Sequence, residues 1–262
     1  VETWKDGVAV HFGNKIVSVE HASADEIEPA STSPQPSVDG NALRDRIIKD
    51  GFKDIREARK FAKENGFKES SDKEIDEAIE QAVVDAAKLL TLDGKKTERE
   101  IYQGMVNLYG NQPNLGVRTS TSVANQAYST PVPLAYLAAR LAGTRTANVV
   151  YEPTAGNGAL LIDVATPNNV FANELDPKRA AALKAQGYRT TTLDATEPAQ
   201  AKAIRETKDG ADSVIMNPPF GAVREDGKSK SWDVDGFKTS TVDHAIAITA
   251  LEAMADDGKA VL

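Results

Sequence analysis

Short apolar segments alternate with helical segments from about residue 147 onward, and this alternation constrains the fold more than any other feature of the chain. The predicted strands lie at 147–151, 170–173, 188–193, 213–216 and 259–262. The predicted helices lie at 159–164, 177–186, 198–207 and 242–254. A strand–helix–strand order favours a parallel sheet that helices cover on both faces. The sequence therefore predicts an α/β fold with a Rossmann-like sheet.

Two further segments precede this alternation. Residues 7–12 and 15–19 flank the dipeptide Gly13-Asn14, a pattern that predicts a β-hairpin. Residues 22–40 are rich in Ser, Pro and acidic residues, which is typical of a linker.

Residues 41–110 have helical periodicity. Capping boxes at Ser71-x-x-Glu74 and Thr97-x-x-Glu100 mark two helix starts, and the apolar stripes behind them are most simply explained as core. We therefore divide the chain into a hairpin with its linker at 1–40, a helical segment at 41–118 and an α/β domain at 119–262.

Composition excludes several classes of chemistry. The 262 residues include no Cys and three His, so disulfides, thiol nucleophiles and Cys-ligated zinc are excluded. No His pair has metal-ligand spacing and no set of carboxylates is clustered, so we expect no metal. No apolar run approaches the roughly 20 residues of a membrane span, and the first residues do not form a signal peptide. We therefore expect a cytoplasmic protein without membrane contact.

The net charge of −8 is the wrong sign for a protein that grips nucleic acid over its whole surface. A nucleic-acid substrate would then be contacted locally, or with the help of regions outside this chain. The final apolar residues resemble the start of a buried strand, so we expect the α/β domain to be incomplete at its C-terminus. No feature of the sequence indicates an oligomeric state.

The predicted strand at 213–216 is followed at once by Asn217-Pro218-Pro219-Phe220. Proline has no N–H and ends the strand, and the two prolines restrict Asn217 and Phe220. In open α/β sheets, ligands bind at this end of the strands. An ordinary structural turn is the alternative interpretation.

The first predicted strand runs into the segment 152–158, Glu-Pro-Thr-Ala-Gly-Asn-Gly. Gly156 and Gly158 permit a tight turn and the close approach of a ligand. The N-terminus of the helix expected behind them would favour an anionic or electron-rich group. The segment lacks the three-glycine dinucleotide pattern, and a purely structural turn remains an alternative.

Acidic residues follow the second and third predicted strands. Glu174 stands about 20 residues after the first strand, where this architecture holds a ribose diol. Asp194 is suited to accept a hydrogen bond from an exocyclic amine. Capping of the next helix is the alternative for both, and it fits Asp176 better than Glu174.

Together, Glu-Pro-x-Ala-Gly-x-Gly, Asn-Glu-Leu-Asp at 173–176, Asp-Ala at 194–195 and Asn-Pro-Pro-Phe resemble the S-adenosylmethionine-dependent N6-adenine DNA methyltransferases. Upstream, Gln126-Ala127-Tyr128-Ser129-Thr130-Pro131 is similar to the family's Tyr-x-Thr-Pro-type segment. The resemblance covers about residues 119–262. Its loop at 222–241 and the following helix are similar to methyltransferase modules fused to helicases in large phage and plasmid proteins.

The resemblance implies a class I methyltransferase sheet and S-adenosyl-L-methionine as cofactor, with DNA as substrate. It implies methyl transfer to the N6 amine of a flipped-out adenine, in a bacterial, phage or plasmid setting of restriction–modification or anti-restriction. Asn217 and the carbonyl of Pro218 would accept hydrogen bonds from the target amine, Pro219 would stiffen the turn, and Phe220 would stack on the base. The implied cofactor-binding residues are Tyr128, Thr130, Glu152, Thr154, Ala155, Gly156, Gly158, Glu174, Leu175, Asp194, Ala195 and Asn217.

Two alternatives stay open. The same fold and motif also occur in methyltransferases that act on RNA bases or on glutamine amides of proteins, and the acidic surface suits a protein substrate. A non-catalytic methyltransferase-like module within a larger protein is the other. The mixed-charge loop at 221–238 contains Trp232, which would either lie over a target strand or belong to a solvated loop.

Overall fold

The computed structural model describes residues 38–113, 130–225, 228–234 and 236–262, and the backbone of three earlier strands. These strands are β1 (Glu2–Trp4), β2 (Gly7–Phe12) and β3 (Lys15–Glu20), and they form an antiparallel sheet in the order β1-β2-β3. The predicted hairpin is the β2–β3 pair and is confirmed, whereas the three-residue β1 was not foreseen. Residues Val1–Gln35 form one compact unit and Pro36–Leu262 form another.

Four helices open the second unit, as the periodicity predicts. They are α1 (Val38–Lys49), α2 (Ile55–Glu64), α3 (Asp72–Leu92) and α4 (Glu98–Asn111). Both predicted capping boxes are present, with Ser71 at the start of α3 and Thr97 at the start of α4. The α3 stripe is buried from Ile75 to Ala87, but Leu89 is 47% exposed and lies off the packed face.

The α/β part follows with the predicted alternation. Its first elements are α5 (Val132–Ala142), β4 (Val150–Glu152), β5 (Val170–Asn173), α6 (Pro177–Ala185), β6 (Arg189–Thr191), α7 (Ala199–Lys208) and β7 (Ala211–Ile215). Two short antiparallel pairs come next, β8 (Arg224–Glu225) with β9 (Lys228–Ser229) and β10 (Trp232–Val234) with β11 (Phe237–Thr239). The last elements are α8 (Val242–Leu251) and β12 (Met254–Val261).

The main sheet has five parallel strands in the order β12-β7-β4-β5-β6. The chain winds outward from β4 through β5 to β6, then returns to β7 on the other side of β4. The order therefore reverses between β4 and β7, and such a switch point leaves a crevice at the carboxyl ends of the strands. The fold is α/β with a parallel sheet flanked by helices, compatible with a Rossmann-like fold.

Each face of the sheet has its own apolar core, because successive side chains of a strand point to opposite faces. One core joins Val150, Val170 and Ile215 to α1–α6. The other joins Tyr151 and Val214 to α7 and α8. The helical segment thus shares a core with the sheet; the predicted domain boundary at 118/119 lies outside the described residues. Across the described ranges, no helix is both long and apolar enough to cross a membrane.

The predicted helix at 159–164 is wrong: the structure has only a 3-10 turn at Ala159–Leu161. The carbonyl of Ile162 accepts a hydrogen bond from the Thr91 hydroxyl at 2.7 Å. Asp163 is drawn into the interior, where it pairs with Arg140 at 3.3 Å and Arg145 at 3.0 Å. The first contact engages a backbone carbonyl that a continuing helix would use, and the ion pairs hold the Asp163 side chain in the interior.

The last strand is longer than predicted. Met254 pairs with Ala211 and Lys259 with Ser213, so the register shifts between them. This irregularity accommodates the Asp256-Asp257-Gly258 segment, whose composition is typical of a turn.

Candidate functional site

The buried side chain of Asn173 ties together the carboxyl ends of β4, β5 and β6. Its Nδ2 donates to the carbonyls of Pro153 at 3.0 Å and Leu193 at 2.9 Å. Its Oδ1 accepts from the Thr191 hydroxyl and the Leu193 N–H, both at 2.8 Å. The segments that follow the three strands are therefore held at one edge of the sheet. The sequence places Asn173 beside Glu174 but gave no sign of this role.

The segment Gly156–Gly158, here the glycine turn, follows β4. Gly156 has φ 54° and Gly158 has φ 82°, values that glycine adopts without strain. The Gly156 N–H donates to Glu174 Oε2 at 2.8 Å, and the other oxygen of Glu174 accepts from the Asp176 N–H at 2.8 Å. A Cβ on Gly156 would meet nothing within 4 Å, so open space lies beside the turn at Gly156.

The helix expected behind the glycine turn is absent, as described above. A 3-10 turn of three residues has little macrodipole, so the expectation of an anion-favouring helix N-terminus fails. The N–H groups of both glycines are engaged within the protein, that of Gly156 with Glu174 and that of Gly158 with the Ala155 carbonyl at 2.7 Å. A ligand at the turn would therefore meet the acceptor oxygens of the Glu174 carboxylate, which suits hydroxyl and ammonium donors.

Glu152 at the end of β4 is 2% exposed, and its Oε2 has no hydrogen-bond partner among the described residues. Burial raises the pKa of this carboxyl well above its usual range; the nearby Glu174 raises it further, and Lys88 opposes the shift. Burial also lowers the pKa of Lys88 to about 8. Thr154 Oγ1 is likewise buried without a described partner. Two polar atoms after β4 thus have unused bonding capacity, which is unusual for buried groups.

Asp194 is exposed, and its Oδ1 accepts from the N–H of Thr196 at 2.9 Å and from the hydroxyl of Thr196 at 2.8 Å. The structure therefore gives Asp194 a local turn-forming role; it does not cap the next helix, whose N-cap residue is Pro198. Asp176 caps α6 by accepting from the N–H groups of Lys178 and Arg179. Leu175 is 69% exposed and Ala195 is partly buried.

Asn217 follows β7 and contacts the segment before α5. Its Nδ2 donates to Thr130 Oγ1 at 3.0 Å, and Pro218 beside it is buried. Phe220 is 53% exposed, which leaves its ring accessible. The Asp243 carboxylate of α8 accepts from the Gly221 N–H at 3.0 Å and so fixes the end of the motif. Thr130 and Asn217 are thus brought together, whereas Tyr128 lies outside the described residues.

Two open surface clefts are also present, one on α2 and the start of α3 and the other beside Asp176, two residues after Glu174. One is lined by Arg56, Arg59, Lys60, Lys63, Glu64 and Asp72. The other is lined by Ser71, Lys73, Glu74, Glu77, Asp176, Pro177 and Lys178. Most of their charges are engaged in ion pairs across the cleft walls, such as Arg59 with Asp72 and Lys178 with Glu74. Since neither cleft has unpaired buried groups like those after β4, the strand ends are the stronger candidate.

Within the described ranges, no group of three or more His, Asp or Glu is placed to hold a metal ion. Comparison of the chain with family models, with curated proteins and with solved structures finds no match.

Proposed function

We propose that the α/β part of this chain is a class I methyltransferase domain that transfers a methyl group from S-adenosylmethionine to the N6 amine of a flipped-out adenine in DNA. The observation that carries the proposal is the arrangement at one sheet edge. The glycine turn follows β4, the Glu174 that it bonds to follows β5, and Asn217-Pro218-Pro219-Phe220 follows β7, the other neighbour of β4. The reversal of strand order between β4 and β7 supports a ligand crevice between these two groups.

The residues present fit the cofactor. The space beside Gly156 is open, and the Glu174 carboxylate there retains lone pairs for the ribose hydroxyls. Glu152 and Thr154 offer buried oxygen atoms without described partners, and an ammonium group would favour the charged form of Glu152. When bound, S-adenosylmethionine supplies an electrophilic methyl group on a sulfonium.

Asp194 fits less directly. One of its oxygens is engaged by Thr196, so only Oδ2 is left to accept from the cofactor's adenine amine. Leu175 and Ala195 would contact the cofactor through apolar surface.

Asn217 carries the chemistry assigned to this chain. An aromatic amine is a poor nucleophile because its lone pair is delocalised into the ring. With Nδ2 bound to Thr130, the Oδ1 of Asn217 is directed to act as an acceptor. This oxygen and the Pro218 carbonyl would draw the two N–H groups of the amine toward a tetrahedral arrangement, which localises the lone pair. The acceptors then stabilise the transition state more than the ground state.

Phe220 would hold the base. A base inside a duplex must leave the stack to be methylated, at a cost of a few kcal/mol. Stacking on an accessible aromatic ring returns about 1–3 kcal/mol, and Phe220 is half-exposed beside Asn217.

The segment of short strands β8–β11 contains Trp232, which is partly buried, and the Lys230 ammonium lies 5.5 Å from the centre of its ring. With a net charge of −8, binding to DNA would depend on local contacts and on regions outside this chain.

The experiment is methyl transfer from labelled S-adenosylmethionine to DNA, RNA and protein acceptors presented in parallel. We expect label on adenine N6 in DNA, and a loss of about 10²–10³ in rate for Asn217→Ala. Asn107→Ala is the matched control, because Asn107 is exposed on α4 and bonds only to Gln103 among the described contacts. Label on RNA or protein alone would contradict the DNA assignment. Cofactor binding without transfer to any acceptor would favour a binding module.

A further inference from the structure

One face of α3 is turned toward the glycine turn, although α3 belongs to the helical segment that precedes the α/β part. Glu80 Oε2 accepts from Asn157 Nδ2 at 3.0 Å. Eight residues further along the same face, Lys88 donates to the Gln186 side chain. Gln186 lies directly against the turn, since its Oε1 would be 3.4 Å from a Cβ on Gly158. The helix therefore contacts the turn directly through Glu80 and indirectly through Gln186.

Asn157 is placed to control the turn. It is 9% exposed and stands between Gly156 and Gly158, both of which have positive φ. Two glycines give the turn many accessible conformations when it is free. A charge-assisted hydrogen bond from the residue between them selects one conformation. In that conformation the Gly156 N–H meets the Glu174 carboxylate.

We propose that α3 is a wall of the cofactor site and that Glu80 is a positioning residue, which acts through Asn157 to hold the glycine turn ready for the cofactor. This inference rests on the proposed function. It gives the helical segment a part in binding: fixing the turn before the cofactor arrives removes an ordering cost that binding would otherwise bear.

The test is calorimetric titration of S-adenosylhomocysteine, the demethylated product, into the chain and its variants. Glu80→Ala removes the acceptor, and we expect about a tenfold weaker affinity. Glu80→Gln keeps an acceptor oxygen but loses the charge, which is worth about half of the bond, so it should bind within about threefold of the parent chain. Glu77→Ala is the matched control, because it removes a carboxylate from the same helix. The described partner of that carboxylate is Lys73, at 3.9 Å.

A double-mutant cycle separates positioning from general damage. Asn157→Ala should weaken binding as much as Glu80→Ala, and the double variant should lose no more than either. Glu80→Ala binding as the parent chain does, or Glu80→Gln binding as poorly as Glu80→Ala, would overturn the inference alone. No binding by the folded parent chain would overturn the proposed function and the inference with it.

Discussion

Replacement of Asn173 tests how the strand ends are held together. Asn173→Ala removes four hydrogen bonds, two donated by Nδ2 and two accepted by Oδ1. At about 1 kcal/mol for each bond, the free energy of unfolding should fall by about 4 kcal/mol. Thr191→Val removes only one bond of the same set and should cost about 1 kcal/mol. Native domains have about 5–15 kcal/mol in total, so the larger loss leaves a folded protein to measure.

Urea unfolding followed by circular dichroism measures both losses. We expect the midpoint for Asn173→Ala to fall about four times as far as that for Thr191→Val, with unchanged dependence on urea in both. Asn173→Asp keeps an acceptor but turns the two donated bonds into contacts between a buried carboxyl oxygen and the carbonyls of Pro153 and Leu193, so it should cost at least as much as Asn173→Ala. If Asn173→Ala lost no more than Thr191→Val, Asn173 would not be the tie between the three strands.

Burial and the nearby Glu174 carboxylate raise the pKa of Glu152 in the folded chain, with Lys88 opposing them. The unfolded chain therefore releases the Glu152 proton at a lower pH than the folded chain does. As pH rises from the unfolded pKa toward the folded pKa, this difference lowers the free energy of unfolding. Glu152→Gln should therefore gain stability relative to the parent as pH rises above about 5, beyond the pKa of the unfolded carboxyl, in urea titrations; parallel pH profiles would contradict this. Gly158→Ala should cost about 2–3 kcal/mol, because its φ is 82° and its Cβ would lie 3.2 Å from a leucine methyl group. Gly156→Ala, whose Cβ enters open space, should cost about 1 kcal/mol and chiefly weaken cofactor binding; comparable stability losses in the two glycine variants would refute the distinction.

The sequence was sufficient to predict the order of the five sheet strands, because local signals agree with the fold there; β1 and the short strands β8–β11 were not predicted. Apolar runs mark the five sheet strands within a few residues, and both capping boxes begin helices. The end of β7 before Pro218 follows from the missing N–H of proline. The strand order itself required the structure, since several orders are consistent with the same alternation.

The features that the sequence did not predict depend on tertiary contacts. The helix after Gly158 is replaced by a 3-10 turn because Thr91 and two arginines, all remote in sequence, engage Ile162 and Asp163. From the sequence, Asn173 was only the neighbour of the predicted ribose-binding residue Glu174. In the structure its four hydrogen bonds join three strand ends. Likewise, nothing in the α3 sequence indicated that Glu80 faces a turn 77 residues away. Such roles are set by packing and leave no local pattern.

Titration of S-adenosylmethionine into the folded chain tests the central claim most directly. We predict binding of one equivalent, and about tenfold weaker binding by Glu174→Ala, which loses the acceptor for the ribose hydroxyls and for the Gly156 N–H. Glu64→Ala, which removes an exposed carboxylate on α2, should bind as the parent chain does. An absence of binding by the folded parent chain, or equal binding by Glu174→Ala, would contradict the account.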